Sequence, residues 1–429
     1  MSDTFDSTDQ VPQPSSSEFA RSAVPDSVSS SALHLALIII GGTIGFSVFI
    51  VASQIGGSLG YSKAFLAFAV GSLVLGIMGA MTSYVGARSR LSTYLLTEYA
   101  FGENGAKIAN VAIALSLVGW YGVISNFLGQ AGRQMLIDAF GFAAPTWAMV
   151  LIASGLMIFI TIKGFKGIDK LALYLVPIMI LFLCYAAFRS VSESSGAPIE
   201  LTTGFSFQTA VSAVVGSYIA GVIIQPDYSR FAKSLSGAVW SVFIALGVIF
   251  PLVQFLSAIP SLSAGNPDLL AVMTILGLSI PAFFLLALGA WSSNVLCLYS
   301  SGLSIATLTE KVSLKQIIAV IGVVGTAIAF VPAQGYLVNF LVVLGVVIPP
   351  VGTIYLIDAF LVRRFSYEDD VPKGSYDLTA LVSWLGGSLF GFLSQYGKVQ
   401  VTGISSIDSL IITALILVLL KRKEVFSKG

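Results

Sequence analysis

Apolar stretches about as long as a bilayer is thick recur along this chain, and nothing else constrains its fold as strongly. A bilayer core takes roughly 20 apolar residues of helix per crossing. Twelve stretches qualify, at 32–54, 62–86, 106–130, 144–162, 170–189, 208–225, 236–259, 279–307, 314–332, 336–361, 377–396 and 404–420. Inside hydrocarbon a backbone must satisfy its own hydrogen bonds, and helices of this length do so. The chain therefore reads as an all-α integral membrane protein with 12 transmembrane helices. The stretch 267–278 is too short to cross and reads as a separate interfacial helix.

Composition agrees. Only 10% of residues are charged and 56% are hydrophobic, against roughly a quarter charged in soluble domains. The net charge of +1 gives no electrostatic case for nucleic acid. A single histidine, His34, and two scattered cysteines, Cys184 and Cys297, leave no metal cluster or disulfide to expect. Residues 1–30, rich in Ser, Asp, Pro and Gln, read as a disordered tail and lack a signal peptide's apolar core. Placing the N-terminus in the cytoplasm leaves only Lys63, Arg133, Arg189 and Lys398, of 22 basic residues, on the outer side. By the positive-inside rule both termini are cytoplasmic in a multi-pass cell-membrane protein. The connections are too short for an enzyme domain, so function belongs among the helices and in contact with lipid.

Polar groups gather in four of the spans. The first contains IIIGGTIGFSVF (38–49), where Gly41, Gly42, Thr43 and Gly45 crowd the centre. Such a run can unwind, and freed carbonyls are tolerated in hydrocarbon only around a cavity or an ion. The sixth contains VVGSYIAGVIIQP (214–226), interrupted by Gly216, Ser217 and Gly221. Two interrupted helices at matching places in two five-helix halves mark an inverted-repeat transporter. The eighth holds Trp291, Ser292, Ser293 and Asn294 in sequence. Three adjacent polar side chains fan around most of a helix, and hydroxyls with carbonyls make a neutral oxygen site suited to Na⁺. In the third, Trp120 and Tyr121 sit near mid-depth, where a Trp face can stack on a planar ring. The third, sixth, eighth and first spans carry no acidic residue or histidine at mid-depth. A proton-driven carrier generally needs such a group, so Na⁺ is favoured over H⁺ as driving ion.

Residues 32–420 resemble the nucleobase–cation symporters of the cytosine/purine permease group. The strongest matches are GYSKAFLAFAVGSLVLG (60–76), VGWYG (118–122), VVGSYIAG (214–221), WSSN (291–294), LYSSGL (298–303) and VIPPVGTIYLID (347–358). The resemblance implies a five-plus-five inverted repeat of the amino acid–polyamine–organocation type, with helices 1 and 6 discontinuous and two helices added. The expected organisation is a cytoplasmic tail at 1–30 and a ten-helix core at 31–361, with repeats at about 31–190 and about 205–361. Helices 11 and 12 at 377–420 and a cytoplasmic tail at 421–429 complete it. It further implies Na⁺ held by the carbonyls of Gly42, Gly45 and Gly289 and the hydroxyls of Ser292 and Ser293. A nucleobase would stack on Trp120 beside Ser217, Tyr218 and Gly221, with Asn294 as a polar contact. No cofactor is expected beyond the coupling ion. Leu117, Gly289, Val295 and Leu296 stand where cytosine permeases carry polar residues. The expected function is thus nucleobase symport with Na⁺ by alternating access. A vitamin-like or hydantoin-like heterocycle, or proton coupling, is the alternative.

Overall fold

The glycine-rich first span folds as two helices. In the computed structural model, α1 (Ala32–Thr43) stops at the run and α2 (Phe46–Ser89) begins three residues later. Gly45 between them is extended, at φ −118° and ψ 157°. The structure describes residues 24–25, 31–43, 45–163, 168–193, 204–266, 268–306, 308, 311–367 and 374–426. The expected N-terminal tail lies outside these apart from Val24 and Pro25. Val24 is buried, and its N–H donates to the Arg90 carbonyl at 3.2 Å.

Each of the twelve apolar stretches carries helix among the described residues. The long α2 carries the rest of the first span and all of the second, changing direction at Gly60. There φ is 71°, a value that residues with a Cβ rarely adopt. A short helix, α3 (Thr93–Phe101), follows, its N-terminus capped by the Ser92 hydroxyl. It was not expected from the apolar pattern. The third, fourth and fifth spans are α4 (Glu103–Phe140), α5 (Thr146–Lys163) and α6 (Ile168–Ser192). The sixth comprises α7 (Phe207–Ile223) and the four-residue α8 (Pro226–Ser229). The seventh runs from α9 (Leu235–Phe243) through a π-helical segment (Ile244–Ile249) into α10 (Phe250–Ala264). The expected short helix is α11 (Leu269–Ile275), capped by Asp268. Then come α12 (Ser279–Ala306), α13 (Leu314–Ala329), α14 (Leu337–Ile357, extended by a π-helical Asp358–Val362), α15 (Leu378–Gln395), α16 (Ser405–Leu420) and α17 (Arg422–Phe426).

The sixth span breaks later than its glycines suggest. α7 runs unbroken through Gly216, Ser217 and Gly221, and the interruption falls at Ile224 and Gln225. Pro226 supplies the cause, since its missing N–H and fixed φ end one helix and start another. The glycines serve packing instead. A Cβ on Gly216 would lie 2.0 Å from the Leu341 carbonyl oxygen, and one on Gly345 would lie 2.7 Å from that of Ser212. α7 and α14 therefore meet backbone to backbone, as small residues allow in membrane helices.

Large apolar side chains face outward along α5 (Leu151, Ile152, Phe159), α13 (Val320, Val323) and α15 (Leu385, Leu389). Such an apolar exterior suits lipid and not water. Polar side chains turn inward and bridge helices: Ser83 donates to the Ala238 carbonyl at 2.9 Å, and Tyr121 to that of Ser154 at 3.1 Å. Among the described residues eight helices are long and apolar enough to cross a membrane, three shorter apolar helices accompany them, and the first and sixth spans are discontinuous. The most buried helices are α4, α7 and α14.

Candidate functional site

Four spans enclose a cavity of about 90 Å³. One water needs roughly 10–15 Å³ on this measure, so the space suits several waters or one small planar ring. Each wall is a single helical stripe. α4 contributes Leu117, Trp120 and Ile124; α12 contributes Ser293, Leu296, Cys297 and Ser300; the sixth span contributes Ser217, Tyr218, Gly221, Gln225 and Tyr228. Ile39 and Gly42 of α1 and Val48 of α2 close the fourth side. Spacings of three, four and seven residues keep each set on one helix face.

The first-span glycines are explained by what approaches them. Gly42 is next to last in α1, where carbonyls have no in-helix donor. A Cβ there would fall 2.9 Å from the Tyr218 hydroxyl. The torsions of Gly45 suit any residue, so space decides its identity: a Cβ would fall 3.2 Å from Ser293 Oγ. The carbonyl of Gly45 already accepts from Val48 N at 3.1 Å and Phe49 N at 3.4 Å, opening α2. Ser293 is 9% exposed, and its Oγ is buried without a hydrogen-bond partner. An orphan hydroxyl beside a broken helix suits a small cation, since burying it unpaired costs about 1–3 kcal/mol. Gly289 is buried one turn before Ser293 on α12. The side chain of Ser292 lies outside the described residues. No cluster of His, Cys, Asp or Glu among the described residues could hold a metal.

The expected substrate residues divide. Trp120 is 5% exposed, faces the cavity and packs edge-on against Phe340, with centroids 5.4 Å apart at 74°. That contact fixes its indole plane. Tyr121 points the other way, tying α4 to α5 and α13 through Ser154 and Thr326. Ser217 lines the cavity while donating to the Val214 carbonyl at 2.7 Å. Tyr218 folds over Gly221, where a Cβ would meet its ring at 2.9 Å. Asn294 is turned away from the cavity lining, and its Nδ2 donates to Ser125 Oγ on α4 at 3.0 Å. Leu117 and Leu296 line the cavity with hydrocarbon, whereas Val295 is buried in packing.

Sequence reasoning missed Gln225, Tyr228, Cys297 and Ser300. The signal for Gln225 was present: an amide placed directly before Pro226 at the end of an apolar run. The break itself is held from outside the cavity. Tyr355 of α14 donates to the Ile223 carbonyl at 2.9 Å, and Thr93 Oγ1 reaches it at 3.4 Å. Asp227 accepts from Thr93 N at 2.9 Å. Asp358 pairs with Arg363 at 3.2 Å, and Asp408 accepts from Thr402 N at 2.7 Å. The acidic residues nearest the spans thus all have protein partners.

Two broken spans around a ring-sized central cavity are the frame of a membrane transporter. Residues 29–407 match the profile of the permeases for cytosine/purines, uracil, thiamine and allantoin, and the chain belongs to that family. The cytosine permease of Escherichia coli (strain K12) is 28% identical over 356 residues, 82% of each chain. The hydantoin permease of Microbacterium maritypicum is 24% identical over 420 residues, 90% of this chain and 83% of that one. Among solved structures, Mhp1, a nucleobase-cation-symport-1 family transporter, closed with bromovinylhydantoin bound, superposes with a TM-score of 0.79. It is 20% identical, with 94% of each chain covered. A Na⁺-coupled sialic acid symporter shares the fold at a TM-score of 0.66 and 12% identity, over 92% of this chain and 90% of that one.

Proposed function

We propose that this transporter imports a nucleobase or hydantoin-like ring across the cell membrane in symport with Na⁺, with both termini in the cytoplasm. One observation carries the coupling: Ser293 Oγ is buried and unpartnered against the extended backbone at Gly45. In this reading the ion is held by carbonyls of Gly42, Gly45 and Gly289 with the Ser292 and Ser293 hydroxyls. It supplies the positive charge that draws the broken first span onto α12. The substrate ring lies against the Trp120 indole, with Ser217, Tyr218 and Gly221 beneath it. Leu117 and Leu296 make that pocket less polar than a cytosine site requires, so the family's less polar rings are favoured.

Ion and ring share the wall between α1 and α12. Ordering that wall by one helps the other, and such coupling is reciprocal. Alternating access then exposes the same cavity to either side in turn. Proton coupling is the weaker reading, because none of the residues lining the cavity is acidic or histidine. Uptake of labelled cytosine, uracil, adenine, hypoxanthine and hydantoin at graded Na⁺ tests the proposal. Accumulation that rises and saturates with Na⁺ supports it. Accumulation driven by a pH gradient and indifferent to Na⁺ overturns the coupling, and no accumulation of any ring overturns the substrate class.

A further inference from the structure

Gln225 is 1% exposed, lines the central cavity, and its Nε2 is buried without a hydrogen-bond partner. Its backbone is fully engaged: the carbonyl accepts from Ser229 N at 2.9 Å and Ser229 Oγ at 3.0 Å. The side chain is what the fold leaves over. A buried amide without a partner is rare in a folded protein, and each case calls for an explanation.

The other walls of the cavity offer no equivalent group. α4 presents Leu117, Trp120 and Ile124, and α12 presents Leu296 and Cys297. The Ser217 hydroxyl already donates to its own helix, and Tyr228 is bonded to Ser300. Ser293 stands at the proposed ion site. Gln225 is therefore the one carboxamide facing the space a ring would fill.

We infer that Gln225 reads the substrate's edge, and that the substrate is a heterocycle whose edge sets a hydrogen-bond donor beside an acceptor, as a ring lactam, –NH–C(=O)–, does. A carboxamide sets one donor beside one acceptor. A lactam edge presents the complementary acceptor and donor, so two antiparallel hydrogen bonds form. Rotating the amide by half a turn pairs it with the same edge in the opposite sense, so the choice of ligand class does not depend on which way the amide points. The inference rests on this cavity being the substrate site, and it adds which rings are selected and by which residue.

The test measures binding to purified protein in Na⁺. The ligands are uracil, hypoxanthine, guanine and hydantoin, whose edges carry ring N–H donors, and 1,3-dimethyluracil, whose methyl groups remove both ring donors. Wild type should prefer the unmethylated rings. Gln225→Leu should weaken binding of uracil, hypoxanthine and hydantoin about 10- to 100-fold, the loss expected for one removed buried hydrogen-bonding partner, and leave 1,3-dimethyluracil within a few-fold. Gln225→Glu keeps the shape but only accepts, so guanine, with its added amino donor, should gain on hypoxanthine. If Gln225→Leu does not fold, the near-isosteric Gln225→Glu decides alone. Equal losses across all ligands, or no loss, or no guanine gain, overturn the assignment of Gln225 while the transporter reading stands. A wild-type protein that binds no ring in the panel overturns both.

Discussion

Gly45→Ala separates the proposed ion site from the stability of the fold. Alanine adopts φ −118° and ψ 157° freely, so the substitution strains no backbone. In the unfolded chain alanine samples fewer states than glycine, which favours the folded form by about 0.4–1 kcal/mol. The new methyl would lie 3.2 Å from Ser293 Oγ, so that hydroxyl retreats by a few tenths of an ångström or rotates away. A hydroxyl withdrawn from a cation loses an interaction comparable to a hydrogen bond to a charged group, about 1.5–3 kcal/mol. That corresponds to about 10- to 150-fold weaker Na⁺ binding. The measurement is a Na⁺ titration of thermal stability and of substrate binding, since a ligand stabilises by RT ln(1 + [L]/Kd). Without Na⁺ the variant should melt at or slightly above wild type; its Na⁺ half-saturation should rise steeply. Ser293→Ala removes the clashing oxygen, so the double variant should bind Na⁺ no worse than Ser293→Ala alone. An unchanged half-saturation in Gly45→Ala, or two losses that simply add, would refute the placement of the ion between these residues.

Four further outcomes are expected. Gly216→Ala drives a methyl to 2.0 Å from the Leu341 carbonyl oxygen, costing about 3 kcal/mol or more through overpacking; a wild-type yield of folded protein by fluorescence size-exclusion chromatography would contradict the α7–α14 contact. Tyr355→Phe removes the 2.9 Å bond to the Ile223 carbonyl and should destabilise by about 0.5–1.5 kcal/mol, read as a lowered melting point with Na⁺ affinity unchanged. Trp120→Ala should weaken substrate binding while the amount of folded protein holds, because stacking contributes about 0.5–1.5 kcal/mol beyond buried area; a drop mainly in abundance would assign the residue to packing. Burial would push the Asp377 carboxyl up, but the Lys421 ammonium at 2.5 Å, the Thr379 hydroxyl and the Ala380 N–H hold it below the ordinary value. A depressed carboxylate stabilises above its unfolded value of about 3.9 and loses that as pH falls through its folded value, so Asp377→Asn should melt lower than wild type at neutral pH and converge with it on acidification.

The sequence shows much of this architecture because membrane spans are written locally. Each needs a length of apolar residues, and neighbours do not alter that demand. The first-span break was legible for the same reason: three glycines and a threonine within five residues leave the helix little to hold it. The place of the sixth-span break was not, because glycine marks both unwinding and close approach. The partner that makes Gly216 a packing residue is Leu341, more than a hundred residues away. Gln225 was passed over because a polar residue at a helix end usually meets solvent, and only the folded chain shows its Nε2 buried against a cavity. The turn of Asn294 toward Ser125 was equally hidden: three adjacent polar side chains fan around a helix, and the facing helices choose which of them meets the ligand.

Where Gly216 meets the Leu341 carbonyl and Gly345 that of Ser212, α7 and α14 touch backbone to backbone, with no side chain at that point to re-pack. The end of α7 is fastened to the same neighbour through the Ile223 carbonyl and Tyr355. Gln225 sits in the break that follows. In the proposed cycle, a swing of the far stub of the sixth span would re-aim its amide, so letting go of the ring and changing shape would become one event.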